Sequence, residues 1–204
     1  KDAGNLFENE AKLYIYQILM GIKEIHDKGW AHRDIKLENI VKDKDKDRYR
    51  CKLVDLGLAV NIDEPNEDYN CSFIKGTSFY AAPELVDEQY VSKGSGFDCK
   101  KADIFAAGVC LYIMLYGVHL FTDRKSQGLE YVLEDEEKSK ILNPTPNHRF
   151  WEIEDSVSNE IKKLILTMMD TKVDNRPSAV ECLDHPALSV VKYIIGDNVV
   201  FSVT

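Results

Sequence analysis

The eight residues His32-Arg33-Asp34-Ile35-Lys36-Leu37-Glu38-Asn39 put a carboxylate, an ammonium and a side-chain amide into one short segment, with Ile35 and Leu37 alternating between polar neighbours. Alone, an Asp and an Asn five residues apart are most simply turn formers. The flanks give the segment its place in a fold. Upstream, Ile15, Ile18, Leu19, Ile22 and Ile25 fall at helical spacing and Gly29 stands where a helix would stop, so the pattern predicts a long amphipathic helix over residues 8 to 28. Downstream, the short apolar runs Ile35 to Val41 and Cys51 to Val54 are separated by the alternating charges of Lys42 to Arg50, which read as a solvated hairpin turn. Asp55-Leu56-Gly57 follows the second run.

From Gly57 to Ala82 no period is sustained, and Asp63-Glu64-Pro65-Asn66-Glu67-Asp68 makes the middle acidic. A loop this long is usually functional or mobile. Ala102 to Tyr116 is apolar nearly all round and predicts a helix enclosed by its neighbours. Ile161, Leu164, Ile165, Met168 and Met169 mark a further amphipathic helix, with Ser158 as its N-cap and Glu160 in its first turn, and a short helix from Ser178 to Leu183 follows. Beyond His185, Val190, Val191, Ile194 and Ile195 precede a Gly196-Asp197-Asn198 turn and the apolar run Val199 to Val203. This tail is expected either to pack on the preceding helices or to lead into a regulatory segment.

The 204 residues, 44% hydrophobic and 30% charged, have the composition of an ordinary soluble globular protein and enough material for one core. The net charge of −9, from 35 acidic and 26 basic residues, repels phosphate backbones and argues against a nucleic-acid partner. Ile104 to Val118 is shorter than the roughly 20 residues of a membrane span, so no membrane role is expected. The five cysteines, odd in number and without a C-x-x-C pair, suggest neither a disulfide framework nor a zinc site, which fits a reducing, intracellular location, cytoplasmic or nuclear. His26, His119, His148 and His185 have no metal-ligand spacing.

With these surroundings, His32 to Asn39 matches the protein-kinase catalytic loop H-R-D-x-x-x-x-N at every fixed position, and the chain resembles the larger, C-terminal lobe of a serine/threonine protein kinase. The resemblance implies that Asp34 orients and deprotonates an attacking hydroxyl and that Asn39 supplies an oxygen ligand to magnesium. Lys36 resembles the lysine that neutralises the transferring phosphate in serine/threonine kinases, so Ser or Thr of a protein substrate is the implied acceptor. Asp55-Leu56-Gly57 resembles the D-F-G motif, with Leu56 for Phe, which makes Asp55 the second metal ligand and Gly57 part of the turn. Gly76-Thr77 and Ala82-Pro83-Glu84 resemble the end of the substrate-facing segment. Thr77 is then implied to help place the acceptor, and Glu84 to pair with Arg176. Asp103 resembles the aspartate that bonds the catalytic-loop backbone, and His32 reads as a backbone anchor. Arg33 is a candidate receptor for a phosphate on the 57 to 82 loop, with Ser72 as its modification site, or it is satisfied by local acids. Glu38 resembles the residue that contacts a basic side chain of the substrate, although Asn5 departs from the acid often found with it. The pattern looks closest to the calcium/calmodulin-dependent kinase group.

The implied fold is mainly α: a kinase-like C-lobe, a helical bundle with a small β-hairpin region that carries the catalytic and metal-binding loops. Residues 1 to 188 form this lobe and residues 189 to 204 a tail. The cofactors implied are ATP and Mg2+. No glycine-rich phosphate loop or strand lysine of the V-A-I-K form occurs in the chain, so the N-lobe is an expected missing partner and the lobe alone is expected to be poorly active. The competing reading is a lobe-only scaffold or regulatory interaction protein. Apolar surface exposed around Leu6, Phe7 and Leu53 is expected to drive self-association. Sedimentation over a concentration series checks this, and a strict monomer is the contrary result.

Overall fold

The computed structural model describes residues 6–45, 48–63, 78–86, 98–117 and 157–195. Helix α1 (Glu8–Asp27) is the central element: Ile15, Leu19 and Ile22 are fully buried, as their helical spacing requires. Burying each such side chain contributes about 1.5–3 kcal/mol. The helix ends where Gly29 adopts φ +78°, a left-handed conformation that costs glycine nothing. A Cβ at Gly29 would also meet the exposed Asp63 carboxylate, which would have to turn aside.

Two antiparallel strand pairs follow. Strand β1 (Trp30–Ala31) pairs with β4 (Val60–Asn61), and β2 (Ile40–Asp45) pairs with β3 (Arg48–Leu53) in the register Ile40 opposite Leu53. The charged run from Lys42 to Arg50 is therefore mostly strand, which corrects the reading of it as a solvated turn. The backbone of Lys42–Asp45 and Arg48–Arg50 lies in the ladder, and Lys42 is anchored with its ammonium 4.1 Å from the centre of the Tyr14 ring. Gln17 of α1 ties the hairpin down by accepting the Cys51 amide at 2.8 Å. Leu53, expected at an exposed edge, is buried against Gly21 of α1. Phe7 is 85% exposed, and Leu6 packs partly on the core.

A short helix, α2 (Pro83–Val86), precedes α3 (Cys99–Tyr116), which is buried on nearly every side and capped by Asp98, whose carboxylate accepts the Lys101 amide. Helix α3 packs on α1 and on α4 (Asn159–Met168). Gly108 permits the second contact, since a Cβ there would lie 2.7 Å from Met169 Cγ. Ser158 caps α4 through the Ile161 amide, and Glu8 of α1 accepts both the Ser158 amide and its hydroxyl. The start of α1 is thereby bound to the start of α4. Helix α5 (Ala179–Leu183) begins with a reciprocal Ser178–Glu181 capping box. Helix α6 (Ser189–Ile195) buries Val191 and leaves Val190, Tyr193 and Ile194 exposed, so this part of the tail is helical and only one of its faces meets the core.

Cys51, Cys110 and Cys182 are buried free thiols, and burial pushes Cys51 up to about 11 and Cys182 up to about 12. Cys99 is disulfide-bonded, which corrects the expectation from cysteine spacing and removes that argument for a reducing compartment. Among the described residues no helix is long and apolar enough to cross a membrane.

Candidate active site

The segment from His32 to Asn39 leaves β1 and enters β2 through a 3-10 turn, Leu37–Asn39. Its backbone is held from α3. Asp103, 2% exposed, accepts the His32 amide on Oδ2 and the Arg33 amide on Oδ1, both at 2.8 Å. Arg33 stands at φ +67°. A left-handed conformation costs a residue with a Cβ about 1–3 kcal/mol, and a hydrogen bond to a charged group returns about 1.5–3 kcal/mol, so the Asp103 bonds are of the size needed to hold it.

His32 is fully buried and works as a bracket. Its Nδ1 accepts the Asp34 amide at 3.3 Å and its Nε2 faces the Val54 carbonyl at 3.3 Å, a pair of contacts served by the tautomer with its proton on Nε2. The ring thus joins the loop to the strand that delivers Asp55. A second link is the Val54 amide donating to the Asn39 carbonyl at 3.0 Å, which continues the β2–β3 ladder by one residue. Asn39 and Asp55 are therefore brought to the same end of the hairpin by strand register.

Asp34, 8% exposed, receives the Asn39 amide nitrogen at 2.9 Å on Oδ2 and the Lys36 ammonium at 2.7 Å on the same oxygen. Asn39 Nδ2 also donates to the Asp34 carbonyl at 2.9 Å. Both amide donations run toward Asp34, which leaves the Asn39 Oδ1 as the acceptor end of the group. Asp55, at φ +67° and exposed, accepts the Gly57 amide at 3.1 Å on Oδ1. An amide oxygen and a carboxylate are hard donors. They fit Mg2+, which binds through one or two protein oxygens and completes its shell with water and phosphate. Among the described residues no group of three or more His, Cys, Asp or Glu is placed to hold a metal.

Glu38 is exposed at the loop's outer edge, and the Tyr80 hydroxyl donates to its Oε2 at 3.2 Å. Burial, with help from the nearby Cys110 and Glu38, keeps the Tyr80 phenol well above its usual range, so it stays a donor. Among the described residues nothing pairs with the Arg33 guanidinium. Ser72 and Thr77 lie outside the described residues. Glu84 and Arg176 meet in the interior: the guanidinium donates to Oε1 at 2.6 Å and to Oε2 at 2.5 Å, with 1% of Arg176 and 2% of Glu84 exposed. Arg176 further donates to the Asp170 and Lys101 carbonyls and lies 5.0 Å from the Phe105 ring, so each of its nitrogens has a partner.

Two residues of this site were passed over in the sequence. His26 reaches Asp103 Oδ2 with Nε2 at 2.9 Å, although spacing offered no reason to connect residues 77 positions apart. Tyr80 was read only as part of a loop; a Tyr among apolar neighbours, followed by Ala81-Ala82-Pro83, was the available signal that its hydroxyl needs a buried partner.

Comparison with known proteins follows the same lines. The chain is 37% identical over 181 residues to the serine/threonine-protein kinase DCLK1 of Rattus norvegicus, covering 88% of this chain and 37% of that protein. It is 29% identical over 182 residues to CBL-interacting serine/threonine-protein kinase 13 of Arabidopsis thaliana, covering 89% of this chain and 32% of the relative. The chain thus spans about a third of the length of these relatives. A solved structure of the Rad53 kinase domain and SCD2 in complex with AMPPNP superposes with a TM-score of 0.66 at 23% identity, covering 92% of this chain and 62% of that one, which bears on fold alone. The profile of the protein kinase domain matches residues 1–188, and the chain belongs to that family.

Proposed function

We propose that this chain is the larger lobe of a serine/threonine protein kinase and that it contributes the residues that transfer the γ-phosphate of ATP to Ser or Thr of a protein substrate. The observation that supports this most is the knot of Asp34, Lys36 and Asn39, joined by the Val54–Asn39 backbone bond to the strand that ends at Asp55. Catalysis of phosphoryl transfer is mainly positioning and charge stabilisation, and each member has a part in it. Asp34, its orientation fixed by Asn39 and Lys36, aligns the acceptor hydroxyl and takes its proton. Lys36 stands beside that carboxylate to offset charge on the moving phosphate. Asn39 and Asp55 would hold Mg2+, which would supply positive charge to the phosphate oxygens. Glu38, steadied by Tyr80, faces outward for a basic residue of the substrate, and Arg33 is available to a phosphorylated Ser72.

The remaining grip on ATP falls to a second lobe carrying the glycine-rich loop and the lysine that this sequence lacks. Exposed Phe7, Val41 and Leu56 offer apolar surface for such a partner. The same exposed residues support the second reading, a kinase-like scaffold whose site is retained without turnover. Calorimetric titration of the chain with Mg-ATP is expected to give a dissociation constant in the millimolar range or weaker, abolished by Asn39→Ala. Submillimolar affinity would show that the second lobe is not needed for the nucleotide. Equal binding by Asn39→Ala would remove the metal from this site.

A further inference from the structure

Helix α6 has two apolar sides, and the core takes only one of them. Val191 is buried and Ile195 packs partly on the core, four residues apart on one side of the helix. Val190, Tyr193 and Ile194 share the other side at the i, i+3 and i+4 positions and are 68%, 90% and 72% exposed. Single exposed apolar residues need no explanation, but three on one stripe of a seven-residue helix form a continuous apolar surface. The sequence that follows offers a cover for it. Residues 196–204 lie outside the described residues. Gly196-Asp197-Asn198 comes directly after the last helical residue, and all three are turn formers. Val199-Val200-Phe201-Ser202-Val203 is then rich in the β-branched and aromatic residues that favour extended backbone. In an extended segment Val199, Phe201 and Val203 share one side. Five such residues span about 16 Å and the seven of α6 rise about 10 Å, so the run is long enough to return along the whole stripe.

We propose that the exposed stripe of α6 is the docking surface for residues 199–203 of the same chain, with Phe201 as the anchor against Tyr193 and Ile194. The tether decides between this occupant and a second copy. A link of three residues, Gly196 to Asn198, holds the run at an effective concentration of about millimolar order, far above that of another chain in a dilute sample. So docked, the tail is part of the folded unit and not a free regulatory segment, and this face of α6 is closed to other proteins.

The test uses the full chain. Nuclear Overhauser contacts between the Phe201 ring and the Ile194 methyls are read in a uniformly labelled sample and in an equal mixture of labelled and unlabelled chains. The contact is expected within a chain and not between chains. Phe201→Gln is expected to speed amide exchange at Tyr193 and Ile194 by about tenfold and to leave Val109 and Leu111, in the middle of α3, protected. Phe201→Gln and Tyr193→Gln are each expected to raise the unfolding equilibrium constant by about tenfold, and the double variant to raise it little further, because both remove one contact. The proposal is overturned if Phe201 and Ile194 show no contact, if the contact appears only between chains, or if the two substitutions act additively. None of these readouts depends on phosphoryl transfer, so the kinase reading stands or falls separately.

Discussion

Asp34→Asn is expected to lower phosphoryl transfer to a Ser/Thr peptide by about 10²- to 10⁴-fold, the usual contribution of a positioned general base. The substitution keeps the size of the side chain and an oxygen that can accept the Asn39 amide, which now does so at 2.9 Å, so the loop has reason to stay in place. What it removes is the basic oxygen and the 2.7 Å ion pair with Lys36. Single-turnover measurement with Mg-ATP separates this loss from any change in nucleotide binding, and thermal unfolding is expected to stay near that of the parent. Equal transfer rates in parent and variant would sink the role of Asp34 as the base. A large drop in unfolding temperature would mean that the carboxylate serves folding instead.

Arg176→Ala should be the most damaging single change to stability among the described residues. The guanidinium is fully desolvated, makes a two-pronged contact with Glu84 and caps two backbone carbonyls. Removing it leaves a carboxylate that is 2% exposed without its counter-charge. The cost is about 3–5 kcal/mol, which for a chain of this size lowers the unfolding midpoint by roughly 6–20 °C. Arg176→Lys is expected to recover little, because an ammonium cannot reproduce the planar fork. Replacing both partners with apolar residues, Arg176→Met with Glu84→Leu, is expected to recover most of the loss, since the penalty lies in the unpaired charge. Thermal unfolding followed by circular dichroism checks all three. A midpoint for Arg176→Ala within about 2 °C of the parent would show that water reaches Glu84 despite its burial.

Where local pattern and chemistry agree, the reading of the chain and its structure coincide closely. The spacing of Ile15, Ile18, Leu19, Ile22 and Ile25 placed α1 almost to its ends, and Ser158 caps the helix it was expected to cap. The disagreements have a common origin. Lys42 to Arg50 is charged enough to read as a turn, but a strand needs only a paired backbone, and β2 and β3 supply it to each other. Leu53 was placed at an exposed edge because apolar residues near a missing partner invite that inference, whereas the hairpin folds it onto α1. The bond at Cys99 could not be read from five scattered cysteines, because pairing is a matter of proximity and not of count.

The amino-acid order alone determined which groups the candidate site offers: a carboxylate, a lysine and an amide at fixed offsets in His32 to Asn39, and a further aspartate after a strand. It also determined the helices, because hydrophobic periodicity is a local property. Only the folded chain decided how those groups are held. The register of β2 on β3 sets Asn39 beside the strand that delivers Asp55, and Asp103, on a helix some 70 residues downstream, fixes the backbone of His32 and Arg33. His26 enters the site by the same route, through a carboxylate from another helix. Such contacts join residues whose separation along the chain carries no signal, since a hydrogen bond depends on distance and direction in space, and these are set by the packing of α1 against α3.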